Sequence, residues 1–246
     1  MSVKLSYRLL VGALAVAGMI SSAHADVVEV DGAHVTFVYD TDFWGLGNAV
    51  VSGDSITFAI SPAYSLSTTV AAGGAPVSAQ HIEREAQALT VVAKSGYAVD
   101  FGVSTTYGGT YSVAPGVAGD GGIGVSAGGA IAGGSYNNGV FSAVTSATAY
   151  GGGIGLSSGT SGVISQTDTF VPTGTAGYGA LQASAVLSSS LTQNTPGTTS
   201  VALESYAYRF TTAQVVAVPE PATYGMLLGG LGLLGVVARR RKSAPK

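Results

Sequence analysis

The residues best suited to bind a ligand lie in one short segment, where two aspartates precede the only tryptophan of the chain. Asp40, Asp42 and Trp44 sit where an alternating apolar segment gives way to a loop. Carboxylates and an indole ring can bind a sugar by hydrogen bonds and stacking, and the two aspartates with Asp54 could hold a hard cation such as calcium. In the structural alternative, Trp44 closes the end of a hydrophobic core and an aspartate caps a turn. We expect the structural role and keep the three residues as a candidate ligand loop.

Two copies of the pattern G-x-S-x-G surround Ser126 and Ser157, and this pattern marks the nucleophile of α/β-hydrolases. That fold places its histidine after the serine, whereas the last histidine here is His81. Both copies belong to an octapeptide repeat, at residues 121–128 and 152–159. A glycine-rich calcium-binding repeat would need aspartate where the two serines stand. We therefore interpret the repeat as two similar strand and turn units.

The chain is poor in the side chains that build metal centres and nucleophilic sites. It contains no cysteine, and one of its three histidines falls in the segment predicted below to be a signal peptide. His34 and His81 alone cannot form a three-histidine zinc site. Aspartates such as Asp100, Asp120 and Asp168 could converge in the fold, which leaves an extracellular hydrolase as a less favoured alternative. We expect no catalytic residue, no cofactor and no metal.

The composition favours a β-protein whose surface is kept soluble by serine and threonine hydroxyl groups rather than by charged side chains. Only 9% of the 246 residues are charged, against about 25% in an average domain, while 37 are glycine. Long exposed helices need more charge than this, whereas strands and turns do not. The stretch from Asp26 to Val218 has twelve acids and three bases, a net charge of −9. A domain of this charge is not expected to bind nucleic acid, because phosphate contacts require lysine and arginine.

Several segments alternate apolar and polar residues with the period of two that is typical of half-buried strands. The clearest lie at residues 34–39, 55–60, 99–103 and 201–210. Asn138 and Gly139 form a good hairpin signal. We predict an all-β fold over residues 26–216, an antiparallel β-sandwich of which a jelly roll is one form. The segment 79–94 is the one place where the sequence allows a helix, although its Thr-Val-Val end favours a strand.

The N-terminal residues 1–25 have the three parts of a secretory signal peptide. A basic start is followed by a twelve-residue apolar run, Leu9–Ile20, which is too short to span a hydrocarbon core of about 30 Å comfortably. Small residues at Ala23 and Ala25 fit the pockets of a signal peptidase. We predict a signal helix and cleavage after Ala25.

The C-terminal residues 217–246 combine three further elements in order. The triplet Pro219-Glu220-Pro221 stays extended because proline fixes φ and lacks a backbone donor. Residues 222–238 carry no charge and predict a transmembrane helix. A basic cluster follows at once and should remain cytoplasmic, so that the domain faces the periplasm. The cluster is Arg239, Arg240, Arg241 and Lys242.

This tail resembles the PEP-CTERM sorting signals of Gram-negative bacteria, over about the last 28 residues only. The resemblance implies recognition by an exosortase, an integral-membrane cysteine protease that processes its substrates near the triplet. It also implies a host that produces exopolysaccharide, biofilm or flocs. A permanent membrane anchor is the alternative for the same segment.

Together these observations predict an exported, non-catalytic protein of the cell surface or extracellular matrix, associated with exopolysaccharide or biofilm. Its expected partners are signal peptidase, exosortase and, transiently, the membrane through residues 222–238; exopolysaccharide is a further candidate partner. The first alternative is a carbohydrate- or calcium-binding module that uses the segment from Asp40 to Trp44.

Overall fold

The computed structural model describes seven stretches of the chain, which are residues 27–45, 47–116, 119–157, 159–171, 177–215, 225–231 and 233–234. The predicted signal segment, residues 1–25, lies outside the described residues, as do the triplet and the basic cluster. The described part is dominated by β-strands, which confirms the all-β prediction.

Between residues 27 and 215 the described structure has sixteen strands and two single-turn helices. In chain order the strands are β1 (Val27–Asp31), β2 (Val35–Asp40), β3 (Ala49–Ser52), β4 (Ser55–Ala59), β5 (Ser65–Val70), β6 (Val77–Ala93), β7 (Tyr97–Asp100), β8 (Val103–Ser112), β9 (Gly121–Asn137), β10 (Val140–Ala143), β11 (Thr148–Ser157), β12 (Ser161–Phe170), β13 (Gly177–Tyr178), β14 (Ala180–Gln193), β15 (Gly197–Arg209) and β16 (Thr212–Gln214). The helix α1 spans Thr41–Trp44 and a 3₁₀ turn spans Pro62–Tyr64.

The strands form three sheets, and the predicted antiparallel pairing is confirmed in all of them. Sheet A has the order β1-β2-β6-β14-β9-β10, and β11 pairs beside β10 along β9. Sheet B has the order β12-β8-β15-β4-β3, and β5 pairs beside β4 along β15. Sheet C is small and has the order β13-β7-β16.

Sheets A and B share one hydrophobic core, which is the packing of a β-sandwich. The inward residues alternate with outward ones, as at Val35, Phe37 and Tyr39 of β2, all of them buried. Tyr150 of sheet A and Tyr208 of sheet B bring their hydroxyl oxygens within 3.0 Å of each other across the interior. The period-two prediction for β2, β4 and β15 is confirmed, because one face of each strand enters this core.

The helix allowed at residues 79–94 is wrong, because this segment is the long strand β6. β6 pairs with β14 on one side and with β2 on the other. Leu89 and Val91 are fully buried there. Two ladders of backbone hydrogen bonds and this burial outweigh the helix preference of alanine, glutamine and glutamate.

The single strand predicted at residues 99–103 is also wrong, because the chain turns between β7 and β8. β7 ends at Asp100 and belongs to sheet C, whereas β8 begins at Val103 in sheet B. The backbone N–H of Gly102 donates to the carbonyl of Asp100 at 2.8 Å, which closes the turn. The period-two pattern did not reveal this turn, because Val99, Phe101 and Val103 are all buried and the pattern continues across it.

The hairpin predicted at Asn138 and Gly139 is confirmed. Asn137 ends β9 and pairs directly with Val140, which begins β10. The two residues between them have φ angles of 50° and 80°. Positive φ at both central positions is the requirement of a type I′ turn, and asparagine followed by glycine meets it at low cost.

The two copies of the octapeptide repeat lie on neighbouring strands and pair with each other. Gly124 of β9 lies opposite Gly155 of β11, and Val125 lies opposite Ile154. The prediction of two similar strand units is therefore correct for the strands. The sequence did not show that the copies are partners in one antiparallel ladder.

Neither of the predicted flanking helices is supported. Residues 225–231 and 233–234 are helical. Across the described parts of the chain, however, no helix combines the length and the apolar character that crossing a membrane requires.

Candidate functional site

The candidate ligand loop forms a single helical turn that begins at its first aspartate. A carboxylate oxygen of Asp40, Oδ1, accepts a hydrogen bond from the backbone N–H of Asp42 at 2.7 Å, so Asp40 is the N-cap of α1. The side chain of Asp42 is exposed. One of the two carboxylates is thus occupied by the backbone of the loop itself.

Trp44 turns into the core rather than toward solvent. Its indole ring is only 3% exposed, and Nε1 donates to the carbonyl of Ala88 at 2.8 Å. The ring stacks on Phe58 with centroids 4.1 Å apart and planes inclined by 13°. A sugar has no access to a ring held in this way, so the geometry matches the structural interpretation of Trp44.

The third carboxylate considered for a cation, Asp54, belongs to a different cluster. Its Oδ2 atom lies 2.8 Å from Nδ1 of His34 and accepts from the Thr212 hydroxyl at 2.9 Å. Its Oδ1 atom accepts from the backbone N–H of His34 at 2.8 Å. Among the described residues, no group of three or more histidine, aspartate and glutamate side chains could hold a metal ion.

The cluster of His34, Asp54 and Thr212 ties the last described strand to the body of the domain. Burial opposes ionisation of Asp54, yet hydrogen bonds from His34 and Thr212 and the charge of His34 hold its pKa below the usual value. His34 also stacks beside Tyr97, with ring centroids 4.3 Å apart. No local pattern in the sequence indicates this cluster, because its three members are far apart along the chain.

A histidine paired with an aspartate could orient an imidazole as a general base. In the hydrogen bonds described here, Nδ1 of His34 faces Asp54 and lies 3.4 Å from the Thr212 hydroxyl. No described hydrogen bond joins its other nitrogen to a serine or threonine hydroxyl. The geometry is that of a clamp between strand ends.

The second histidine has a similar environment. Nε2 of His81 lies 2.9 Å from a carboxylate oxygen of Glu83, and the Tyr64 hydroxyl donates to the other oxygen at 3.3 Å. The ring of Tyr64 meets the His81 ring edge to face at 4.5 Å. Burial, and then the charge of Glu83, raises the pKa of the Tyr64 hydroxyl. These contacts fasten the 3₁₀ turn to β6.

The serines of the G-x-S-x-G patterns lie within paired strands. Ser126 is opposite Gly153, and Ser157 is opposite Gly122. A nucleophile elbow requires a sharp turn from strand to helix, which neither serine occupies. The pattern therefore arises from the glycine repeat.

The three aspartates considered for a hydrolase lie in separate surroundings. Asp100 ends β7, Asp120 precedes β9, and Asp168 lies near the C-terminal end of β12. Asp168 accepts a hydrogen bond from the Gln166 amide at 3.2 Å, and no described contact links any of the three aspartates to another. The arrangement does not form a carboxylate pair.

Asp168 is instead the acidic end of a buried polar group inside sheet B. Burial, and then the charge of Asp168, raises the pKa of Tyr107 to about 12. The hydroxyl oxygens of Thr105, Tyr107 and Tyr206 and one oxygen of Asp168 are buried without a protein partner. These positions lie side by side on β12, β8 and β15.

The outer face of sheet B is covered with hydroxyl groups. Ser104 and Thr169 bring their oxygens within 3.1 Å across β8 and β12, and Thr106 and Thr167 do so at 2.9 Å. A shallow groove of about 420 Å³ crosses β5, β8 and β15 on this sheet. The groove is lined by hydroxyl and by apolar side chains, which are Ser65, Leu66, Ser67, Thr110, Tyr111, Ser112, Ser200, Val201 and Ala202.

The family comparison concerns the tail alone. The model of the PEP-CTERM protein-sorting motif matches residues 217–242. The tail is a PEP-CTERM protein-sorting motif. This confirms the resemblance read from the triplet, the apolar stretch and the arginine cluster. A PEP-CTERM motif implies export, a membrane-anchored intermediate and processing by an exosortase.

The other comparisons add no information about the β-sandwich. A search of curated proteins found no match. A structure of the Gt strain of infectious bursal disease virus is 12% identical over 82% of this chain and 60% of that chain, with a TM-score of 0.18. For the Gx strain the identity is 15%, the coverage 75% and 52%, and the TM-score 0.14. The chain thus spans less than two thirds of either viral protein, and TM-scores this low do not indicate a shared fold.

The predicted processing residues divide between the two ends. Pro219, Glu220 and Pro221 lie within the matched motif but outside the described residues, and so does the basic cluster. Ala23 and Ala25 also lie outside the described residues, and cleavage after Ala25 stays a prediction.

Proposed function

We propose that this chain is an exported, non-catalytic protein of the cell surface or extracellular matrix, released or transferred after cutting near Pro219-Glu220-Pro221. The observation that carries the proposal is the PEP-CTERM motif at residues 217–242, directly behind a charge-poor β-sandwich. In this proposal signal peptidase removes residues 1–25. The basic cluster then holds the tail in the membrane with the domain in the periplasm.

The short chain between the folded domain and the triplet limits where a processing enzyme can cut. The N–H of Val215 donates to the carbonyl of Gly96 at 2.9 Å, which fixes the chain to sheet C. Four residues further on comes Pro219, so even a fully extended chain covers at most about 14 Å from this anchor. The protease would therefore have to cut beside the folded domain.

The proposal that the protein is non-catalytic rests on the structural roles of the candidate side chains. Asp40 caps a helix, Trp44 packs in the core, His34 pairs with Asp54, and His81 pairs with Glu83 on the same strand. These roles occupy Asp40 and one ring nitrogen of each histidine with structural partners. They support a structural protein over the hydrolase alternative.

The hydroxyl-covered face of sheet B is the proposed contact with exopolysaccharide. Neutral hydroxyl groups exchange hydrogen bonds with sugar hydroxyls at little cost in desolvation. Tyr111 also lines this groove, although its side chain packs partly against the hydrophobic core. This face supports glycan contact better than the Asp40 to Trp44 loop, whose indole ring is buried.

Intact-mass analysis of the protein from medium, matrix and membrane tests the sorting route. We expect a form that begins at Asp26 and ends near Pro219 outside the membrane. Replacing all three triplet residues with alanine should leave the protein in the membrane with Lys246 retained. Glu204→Ala, which removes one exposed acid from β15, should be processed normally. A wild-type protein found only in the membrane with its tail intact would contradict the proposal.

The surface role is tested with the processed protein and exopolysaccharide from the same host. Co-sedimentation should fall several-fold in the double variant Ser67→Ala, Ser112→Ala, which removes two exposed hydroxyl groups of the groove, and stay unchanged in Val163→Ala, a control on exposed β12. Equal binding of exopolysaccharide by both variants would contradict the proposed role of the groove. Release of reducing ends from any polysaccharide in a broad panel would contradict the absence of catalysis.

A further inference from the structure

The strand β11 is an edge strand of sheet A, and in the described part of the chain no strand pairs with its outer side. Its only ladder is with β9, over the ten residues Thr148–Ser157. Along the other edge of an antiparallel strand, every second residue points its N–H and C=O groups outward. Every second one of the ten residues therefore presents a donor and an acceptor along this edge, which is a template for another strand. Two local features interrupt the row, because Gly151 has a φ of 105° and the carbonyl of Ser157 accepts from the Thr160 hydroxyl at 2.7 Å.

The other edge strands of sheets A and B are protected by charge or by shortness. β1 carries Glu29 and Asp31, and β12 carries Asp168. β3 and β10 have four residues each, and β5 has six. β11 has ten residues with no charge and no proline, so it lacks the usual devices that prevent pairing between molecules.

The pairing of β11 with β9 shows what kind of sequence β11 accepts as a neighbouring strand. Its partner β9 carries the other copy of the octapeptide repeat, in antiparallel register. Gly124 faces Gly155 and Val125 faces Ile154, so like residues meet across this ladder. A strand that pairs with a near copy of itself on one edge offers the same sequence on its other edge.

We propose that β11 is a self-association site, at which the β11 edges of two copies of this chain pair antiparallel about a two-fold axis. Identical edges that meet in this way form a closed dimer, because the same surface is used by both partners. The seven-stranded sheets of the two copies then continue through the interface as one sheet. This goes beyond the proposed function and does not depend on the fate of the tail.

The side chains of β11 allow such an approach. Gly151, Gly153 and Gly155 are exposed along one face of the strand and add no bulk there. The position of Gly155 is open, because a Cβ atom added there meets no atom within 4 Å. It is therefore a site where a side chain can be introduced without disturbing the fold.

Lysine substitutions that place positive charge on the β11 edge test the proposal. Sedimentation of the full chain in a mild detergent should give a dimer for the wild type. The double variant Gly155→Lys, Ser157→Lys should have half that mass, because lysine on an edge strand opposes pairing. The matched control Ser65→Lys, Ser67→Lys adds the same charge to the edge strand β5 and should remain a dimer. Circular dichroism should show equal strand content in all three proteins.

Crosslinking supplies a second measurement that does not rely on disrupting the interface. The chain has no cysteine, so single replacements at Gly153, Gly155 and Ser157 report only on β11. Oxidation should link two copies most efficiently at the position nearest the two-fold axis, and Ser67→Cys should not link. A monomeric wild type, or a dimer that survives the β11 lysines without crosslinking through β11, would overturn the proposal.

Discussion

The rings of Trp44 and Phe58 lie stacked with their centroids 4.1 Å apart. Phe58 belongs to β4 in sheet B, whereas Trp44 ends the helical turn that follows β2 in sheet A. The stack therefore joins the two layers of the sandwich at the place where the sequence suggested a ligand. Tyr206, in register with Phe58 on β15, extends the contact with a ring nearly parallel to the indole at 5.8 Å.

Replacing Trp44 with alanine should lower the free energy of unfolding by about 3–5 kcal/mol, because it empties a large core site. It also leaves the carbonyl of Ala88 without its donor. Urea denaturation followed by far-ultraviolet circular dichroism measures the change, since the variant has no tryptophan fluorescence. Asp42→Ala, at an exposed site in the same turn, should change stability by less than about 0.5 kcal/mol. Equal losses in the two variants would contradict a core role for Trp44.

Removing the carboxylate of Asp54 should release the clamp on β16. We expect Asp54→Ala to cost about 1–3 kcal/mol, since the N–H of His34 and the hydroxyl of Thr212 lose a charged acceptor. Amide hydrogen exchange should rise in residues 212–214 more than in β6. Asp31→Ala is the control, because that carboxylate is 74% exposed.

The same carboxylate gives a pH dependence with a definite sign. The folded-state pKa of Asp54 lies below its unfolded value near 3.9, so the unfolded state binds the proton more readily. The stabilisation is present above that unfolded value and is lost as the pH falls through the folded value. Thermal melts should show a smaller acid-induced loss in Asp54→Ala than in the wild type. A parallel loss in both would exclude this carboxylate as a cause.

Three buried tyrosines predict the opposite dependence at alkaline pH. Burial raises the pKa of Tyr150, Tyr206 and Tyr208 above the ordinary value. Their contribution to stability is present below about pH 10 and is lost as the pH rises toward the folded values. Phenolate absorbance should show these groups titrating only as circular dichroism reports unfolding. Complete tyrosine titration in the folded state would contradict the buried cluster.

Two glycines on the paired repeat strands should differ sharply in their tolerance of a methyl group. A Cβ atom added at Gly129 would collide with the carbonyl oxygen of Ser184, whereas one added at Gly155 meets nothing within 4 Å. The Gly129→Ala variant should therefore have a free energy of unfolding lower by about 1–3 kcal/mol. The Gly155→Ala variant should be as stable as the wild type or slightly more stable. Chemical denaturation of both variants compares them directly.

The sequence alone determined the features that depend on local pattern. The triplet, apolar stretch and arginine cluster identify the sorting motif because a protease and a membrane read short linear segments. Period-two alternation determined β2 and β4, and Asn138 with Gly139 determined a turn that needs positive φ. Each of these signals lies within a few consecutive residues.

Tertiary structure decided everything that depends on residues distant in sequence. It made 77–93 a strand, because pairing with β14 and β2 outweighs local helix preference. It brought His34, Asp54 and Thr212 together and turned Trp44 inward. It also placed the two repeat copies on adjacent strands and left β11 with a free edge. The sheet order that produces these contacts comes from burial and backbone pairing summed over the whole domain, which no single segment of the sequence encodes.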